Sequence, residues 1–158
     1  MDVVVAQYRD VRNWLDLAAE VEHLFGSMLD SPGFYQALLG AIERRTAFCV
    51  REGDGPAGAP LMGGILFSPS SQEHPEYRIR WLSVDEKWRR HGVARLLVEH
   101  VFDFVPPPAT MTVVTFGEDV VLGQPARTFY ERLGFYPAEM APRGPEGGSR
   151  LVYRHEFP

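Results

Sequence analysis

Apolar residues follow two different spacings along this chain, and the two spacings alternate. Runs rich in β-branched and aromatic residues, bounded by Gly, Pro and polar residues, predict strands. These runs cover residues 3–8, 46–51, 61–67, 79–84, 111–116, 138–140 and 150–157. Stretches in which apolar residues recur every three or four positions predict helices over residues 10–25, 34–45, 93–104 and 124–133.

Capping residues and glycines mark the ends and irregularities of these elements. Asp10 is the predicted N-cap of the first helix, and three prolines at 106–108 end the third. Gly63 and Gly64 lie together inside a strand, which predicts a bulge or the close approach of another backbone.

The order of the elements is strand, two helices, three strands, helix, strand, helix, two strands. Short connections predict antiparallel neighbours, whereas the helix between the strands at 79–84 and 111–116 predicts a parallel crossover. The chain has 158 residues and no long linker. It is therefore expected to form one α/β (α+β) domain over residues 1–158, with a mixed, mostly antiparallel sheet of about seven strands and about four helices.

Charge and composition exclude several classes of protein. The net charge of −5 argues against a nucleic-acid partner. The single cysteine, Cys49, fits a reduced compartment without disulfides, and five scattered histidines suggest no metal site. The first residues contain neither a signal peptide nor a membrane span, so we expect a cytoplasmic protein without a membrane partner.

A basic turn before the third helix is the first candidate for chemistry. It reads Arg-Arg-His-Gly-Val-Ala at residues 89–94. The helix start offers unpaired N–H groups, and Gly92 lets an anion approach them closely. Arg89, Arg90 and Arg95 add cations that oppose the helix dipole, at about 0.3–1 kcal/mol each, unless an anion binds. The turn therefore predicts a phosphate site.

This turn resembles the acetyl-CoA-binding segment of the GNAT N-acetyltransferase superfamily. The family pattern is Arg or Gln, two residues, Gly, one residue, then Gly or Ala. Arg89, Gly92 and Ala94 occupy those positions, between a strand that ends in Leu-Ser-Val at 82–84 and a helix.

The helix at 124–133 carries a second segment that resembles this family. From the residues alone, Phe129 packs inward, Arg127 pairs with Glu131, and Tyr130 is an aromatic residue at a core boundary. The family signature places Ala, an aromatic residue, Tyr and Gly-Phe in this segment. The matching residues here are Ala126, Phe129, Tyr130, Gly134 and Phe135.

One position departs from the signature. The family's Asn, seven residues before the tyrosine, is Gly123 here. The usual side-chain contact to pantetheine is therefore missing unless Gln124 replaces it.

The resemblance covers residues 3–157 and implies a sheet splayed at the strand that ends at Val84, with acetyl-CoA as cosubstrate and no metal. It implies that Tyr130 is the general acid for the leaving thiolate, and that the N–H of Val84 polarises the acetyl carbonyl. The implied cofactor-binding residues are Leu82, Ser83, Val84, Arg89, Arg90, His91, Gly92, Val93, Ala94, Arg95, Gln124, Phe129 and Tyr130.

The general base and the acceptor stay open at this stage. Candidates for the base are Glu76, His74, Glu118, Asp119 or a water. Cys49 fits a buried strand residue better than a nucleophile. The resemblance implies an acceptor cleft formed by the first two helices and the last hairpin, and one compatible with a small amine or a peptide end. Its residues here are Phe25, Met28, Phe34, Tyr35 and a partly mobile connection at 143–149.

Two functions remain compatible with these motifs. The first is an enzyme that transfers acetyl from acetyl-CoA to a primary amine by direct attack in a ternary complex. The alternative is a CoA-binding regulatory module of the same fold without activity, which Gly123 and the unidentified base favour. Another kind of nucleotide-binding domain is opposed by the glycine spacing. The resemblance also makes a homodimer possible.

Overall fold

Seven strands and four α-helices form in the part of the chain that the structure describes, residues 1–22 and 32–158 of a computed structural model. The strands are β1 (Val3–Val5), β2 (Ala47–Arg51), β3 (Leu61–Ser68), β4 (Tyr77–Val84), β5 (Ala109–Phe116), β6 (Tyr136–Ala141) and β7 (Arg150–Phe157). The helices are α1 (Val11–Glu20), α2 (Pro32–Arg44), α3 (Val93–Phe102) and α4 (Gln124–Arg132). Each predicted element is present, with ends that differ by a few residues.

The strands form one sheet in the order β1-β2-β3-β4-β5-β7-β6. Pairing is antiparallel between β1 and β2, β2 and β3, β5 and β7, and β7 and β6. The β4–β5 pair is parallel and joins Tyr77–Ile79 to Met111–Val113. The predicted mixed sheet and its crossover through α3 are therefore confirmed.

By their contacts, the described residues fall into two compact units. The first unit contains residues 1–22, 32–67 and 81–104, and the second contains 68–80 and 105–158. Trp14 and Leu38, both fully buried, help form the core of the first unit, with Cys49 buried among them on β2. In the second unit the buried residues include Met111, Tyr153 and Phe135. A single domain over residues 1–158 stays a prediction.

The two adjacent glycines of β3 mark close approaches, as predicted. A Cβ on Gly63 would lie 2.9 Å from the carbonyl oxygen of Ser83 and 2.9 Å from Cγ1 of Val93. A Cβ on Gly64 would lie 2.7 Å from the indole ring of Trp14. The small residues therefore let β3 contact the end of β4 and the first turn of α3.

Asp10 is the N-cap residue of α1, as predicted, but its side chain does not cap the helix. Its side chain makes no cap hydrogen bond and lies fully buried, because it accepts hydrogen bonds from Nε and Nη2 of Arg51 at 3.0 and 2.8 Å. The backbone N–H groups of Gln7 and Gly58 also donate to this carboxylate. The competing partner, Arg51, comes from a strand 41 positions later and could not be inferred from local sequence.

The predicted C-terminal part of the first helix, with Leu24 and Phe25, lies outside the described residues. Across residues 1–22 and 32–158, no helix has the length and apolar character needed to cross a bilayer.

Candidate active site

The candidate site begins where β4 ends and the chain turns into α3. The N–H of Asp85 donates to the carbonyl of Met62 at 2.8 Å, and Oδ1 of Asp85 accepts a hydrogen bond from the N–H of Lys87 at 3.0 Å. A single 3₁₀ turn, Glu86–Trp88, follows. Arg90 and Gly92 then adopt left-handed backbone conformations, with φ of 65° and 81°. Through residues 85–92 the chain turns from the end of β4 to the start of α3.

The first turn of α3 leaves N–H groups available to an anion. Gly92 is the N-cap residue, and its carbonyl accepts the first helical hydrogen bond, from the N–H of Leu96 at 3.0 Å. The N–H groups of Val93, Ala94 and Arg95 precede this bond and have no acceptor within the helix. Val93 is buried and anchors the turn, whereas Gly92 is exposed, with no atom within 4 Å of where its Cβ would be. The turn therefore fits a phosphate group.

The three arginines of the turn differ in their partners. Nε of Arg95 lies 2.5 Å from Oε1 of Glu99, so its charge is compensated. Nε of Arg89 donates to the carbonyl of Val84 at 3.4 Å. Arg90 is exposed and makes no hydrogen bond or ion pair with the residues that the structure describes. Of the three cations predicted at this helix start, Arg95 is therefore paired with a carboxylate one helical turn later.

A carboxylate distant in sequence holds this turn in place. Oε1 of Glu52 accepts a hydrogen bond from Nε1 of Trp88 at 2.8 Å. The same oxygen forms an ion pair with Nζ of Lys87 at 2.7 Å. Nδ1 of His91 lies 2.8 Å from the carbonyl oxygen of Arg89. The sequence offers no local signal for Glu52, which lies 36 positions before Trp88.

Two cavities of the first unit adjoin the turn. One, of about 260 Å³, is lined by Trp88 and His91, by Arg51 of β2 and Met62 of β3, and by Met1, Gly53 and Asp54. The other, of about 110 Å³, is lined by the acidic side chains of Asp16, Glu20, Glu52 and Asp85 and by Lys87. Burial, and next the neighbouring charge of Asp85, raises the pKa of Glu20. Acidic groups thus lie beside a turn whose own charge is positive.

The remaining β4 residues predicted to bind the cofactor differ in exposure. Ser83 is buried, and Leu82 and Val84 are half-buried. These three positions therefore lie at the boundary between the core of the first unit and its surface.

Tyr130 lies in the second unit, on α4. It is 6% exposed, and its ring makes edge-on contacts with Phe129 and Phe135, at centroid distances of 5.1 and 5.4 Å. Burial raises the pKa of the phenol above its ordinary value. Tyr130 therefore keeps its proton at neutral pH, as a proton donor must.

At position 123, where the family has asparagine, the side chain of Phe116 fills the space that a side chain would need. A Cβ on the buried residue Gly123 would overlap Phe116. The neighbouring Gln124 is exposed at the first position of α4.

The predicted pair between Arg127 and Glu131 does not form among the described residues. Nη1 of Arg127 donates to the carbonyls of Gly117 and Val120, at 2.6 and 3.0 Å, and Glu131 accepts from the hydroxyl of Tyr153 at 2.8 Å. Arg127 therefore binds carbonyl groups of the preceding loop instead of Glu131 on its own helix.

The four candidates for the base have different surroundings. His74 and Glu118 are exposed, and Glu76 lies 3.9 Å from Nη1 of Arg154. Asp119 accepts a hydrogen bond from the hydroxyl of Ser149, and this bond lowers the pKa of its carboxyl group. Asp119 is therefore a weaker base than an ordinary aspartate.

Two side chains of the predicted acceptor cleft fall in the first unit. Phe34 is half-buried against Trp81, at a centroid distance of 5.7 Å, and Tyr35 is 41% exposed. Phe25 and Met28 lie outside the described residues. Cys49 is fully buried, and burial raises its pKa to about 12, so it is not a nucleophile. Within residues 1–22 and 32–158, no three His, Cys, Asp or Glu side chains converge as metal ligands would.

The fold is a mixed, mostly antiparallel α+β sheet with one parallel crossover through α3. A sequence model of the acetyltransferase (GNAT) family matches residues 8–135. The chain therefore belongs to the GNAT acetyltransferase family and is an acyltransferase by class. Comparison with curated protein sequences gives no significant match.

Solved structures share this fold at low sequence identity. A GNAT-family acetyltransferase from Bacillus cereus ATCC 10987 has a TM-score of 0.70 at 11% identity, with 99% of this chain and 97% of that chain covered. Arabidopsis thaliana Naa50, in complex with the bisubstrate analogue CoA-Ac-MVNAL, has a TM-score of 0.71 at 16% identity, with 99% and 98% covered. The PaiA N-acetyltransferase from Thermoplasma acidophilum, in complex with coenzyme A, has a TM-score of 0.71 at 11% identity, with the same coverage. These likenesses establish the fold.

Proposed function

We propose that this protein transfers the acetyl group of acetyl-CoA to a primary amine in the cytoplasm, by direct attack in a ternary complex. The observation that carries the proposal is the start of α3. Gly92 is left-handed there, and three N–H groups precede the first helical hydrogen bond. Such a helix start suits the pyrophosphate of a CoA molecule.

Each proposed role is the one that the family resemblance assigns to the residue at that position. Backbone groups of Leu82, Ser83 and Val84, at the end of β4, hold the pantetheine arm. The N–H of Val84 donates to the acetyl carbonyl, a type of contact worth ~2.7–4 kcal/mol in other enzymes. Acetyl-CoA supplies an activated thioester when bound.

The chemical step forms one bond and breaks another. The neutral amine bonds to the acetyl carbon as the carbon–sulfur bond breaks. Tyr130 gives its phenolic proton to the departing sulfur, and the proton lost by the amine passes to water or to a nearby base. The role requires a phenol that carries its proton at neutral pH, as Tyr130 does.

The regulatory alternative has its own support in Gly123. The family's asparagine is absent, and Phe116 fills the space above this glycine. A module that binds CoA without transfer would have the same turn at α3 but no turnover. The same turn would serve either function, so binding alone does not separate them.

A thermal-shift titration with acetyl-CoA, CoA and ATP tests the cofactor first. A ligand at one hundred times its Kd adds ~2.7 kcal/mol of stability. A shift with acetyl-CoA and CoA but not with ATP is the expected result. The absence of any shift would contradict both the transferase and the regulatory proposal.

Radiolabelled acetyl-CoA then tests for transfer and identifies the acceptor class. The peptide Met-Val-Asn-Ala-Leu, suggested by the analogue bound to Naa50, is compared with its N-terminally blocked form and with the small amine spermidine. Labelling of the free peptide alone identifies a peptide end as acceptor, and labelling of spermidine identifies a small amine. Binding without labelling of either favours the regulatory module. Homodimer formation stays a prediction that sedimentation velocity tests.

A further inference from the structure

Arg150, at the start of β7, is a cation held almost entirely out of water. It is 6% exposed, and its guanidinium carbon lies 4.7 Å from the centroid of the Phe116 ring. Nη2 donates to both carboxylate oxygens of Glu146, at 2.6 and 2.8 Å, and Nη1 donates to the carbonyl of Ser149 at 3.2 Å. A stacked guanidinium with a two-oxygen partner has a fixed position.

The connection between β6 and β7 is shaped around this guanidinium. A Cβ on Gly144 would overlap Nη2 of Arg150, and a Cβ on Gly148 would lie 2.9 Å from Cγ2 of Val120. The N–H of Gly144 donates to the carbonyl of Gly148 at 3.0 Å. The two glycines therefore let the connection close over Arg150 and against the loop that follows β5.

A second set of bonds joins the same connection to that loop. The hydroxyl of Ser149 donates to Oδ1 of Asp119, and the N–H of Gly117 donates to the carbonyl of Ser149 at 2.9 Å. The connection at 143–149 is thus bonded to the loop after β5 at several points.

Phe116 links Arg150 to the helix that carries Tyr130. One side of Phe116 contacts the guanidinium, and the same side chain fills the space above Gly123, the N-cap of α4. Tyr130 follows seven residues later on that helix. A displacement of Phe116 would therefore move the start of α4.

We propose that Arg150 is a positioning residue for catalysis, which fixes α4 and hence Tyr130 through its contact with Phe116. The inference rests on the proposed function, in which Tyr130 is the acid. Lysine cannot replace Arg150, since an ammonium group has neither the planar face nor the two-pronged geometry.

A double-mutant cycle tests the link between Arg150 and Tyr130. Arg150→Lys is made in the wild type and in Tyr130→Phe, and kcat is measured with acetyl-CoA and whichever of Met-Val-Asn-Ala-Leu and spermidine reacts faster. We expect kcat to fall about tenfold in the wild type and less than about twofold in Tyr130→Phe, because a misplaced acid matters only where the acid is present. The KM for acetyl-CoA should stay within about twofold in both backgrounds.

The matched control is Arg132→Lys, an exposed arginine at the end of α4, which should leave kcat unchanged. Should Arg150→Lys fail to fold, as judged by thermal unfolding, Glu146→Gln takes its place, since it weakens the fixation of Arg150 while keeping the shape of the side chain. A fall in kcat of equal size in both backgrounds would overturn the inference, since Arg150 would then act through general stability.

Failure of the proposed function would look different. It would appear as normal turnover in Tyr130→Phe alone, or as no turnover in the wild type, and either result would overturn this inference as well. Turnover that depends on Tyr130 but not on Arg150 would overturn the inference and leave the proposed function intact.

Discussion

Gly123 lies so close beneath Phe116 that no side chain fits at this position. In the GNAT signature this position carries asparagine. The β5–α4 loop therefore depends on other contacts, among them the hydrogen bonds from Arg127 to the carbonyls of Gly117 and Val120.

Replacing Gly123 with the asparagine of the family signature should destabilise this protein. Gly123→Asn forces the new side chain against Phe116, and overpacking of this kind costs about 1–3 kcal/mol. We expect a lower Tm and weaker CoA binding, both measured by thermal shift. Gln124→Asn, at the exposed neighbouring position, is the control and should leave Tm unchanged. Tighter CoA binding in Gly123→Asn would show that the loop rearranges to accept the side chain.

The left-handed glycine at the start of α3 can be tested against a glycine of similar geometry. Gly92 and Gly147 have φ of 81° and 90°, and both have open space where a Cβ would be. Alanine at either position should cost about 1–2 kcal/mol of stability, because of the left-handed backbone. Only Gly92→Ala should also weaken CoA binding, by roughly tenfold, which corresponds to about 1.4 kcal/mol. Calorimetric titration with CoA measures this, and equal Kd values for the two variants would exclude the turn as the phosphate site.

Tyr130→Phe should lower kcat by about 10²–10⁴-fold, the usual contribution of a general acid, and leave the Kd for CoA unchanged. Because burial raises the pKa of this phenol, kcat of the wild type should show no loss of the acid form below about pH 10, the ordinary tyrosine value. Tyr136→Phe removes an exposed phenol that donates to Glu156 at 2.9 Å, and it should keep full turnover. The pH dependence of kcat, measured for the wild type, Tyr130→Phe and Tyr136→Phe, tests these expectations.

The buried pair of Asp10 and Arg51 should dominate the acid stability of the first unit. Burial raises the pKa of Asp10, but the hydrogen bonds from Arg51, Gln7 and Gly58 together outweigh burial, and the folded-state pKa lies below the ordinary value. A depressed carboxylate pKa stabilises the fold above the unfolded value of about 3.9, and this stabilisation is lost as the pH falls below it.

Asp10→Asn leaves the guanidinium of Arg51 without its counter-charge, which should cost about 3–5 kcal/mol at pH 7. The difference from the wild type should narrow towards pH 3, and urea unfolding at both pH values measures it. Asp54→Asn, which alters an exposed carboxylate, should leave stability nearly unchanged. A pH-independent difference would mean that Asp10 acts through packing alone.

Periodic apolar residues were sufficient to predict the elements and their order. The bounds of β7 and the start of α3 agree with the pattern, since strong turn residues precede both. The close approach at Gly63 and Gly64 was also predictable, because a glycine weakens a strand interior and is most often found there where another group comes close to the backbone. Fold class therefore follows from local signals.

Long-range partners could not be predicted in the same way. Asp10 has the sequence context of a helix cap, yet Arg51 binds it more strongly as a charged partner. Arg127 had a plausible partner one helical turn away, but the loop carbonyls lay closer. Both side chains differ from the prediction for the same reason. A side chain can bind any group that folding brings near it, including groups distant in sequence.

The bonds that Glu52 accepts from Trp88 and Lys87 affect the thermodynamics of ligand binding. A turn without these bonds would lose conformational entropy when it bound a phosphate, and that loss would weaken the affinity. Glu52 orders this turn beforehand, so much of the entropy loss occurs during folding. Association should then be rapid and nearly rigid, and its heat should come mainly from the new hydrogen bonds.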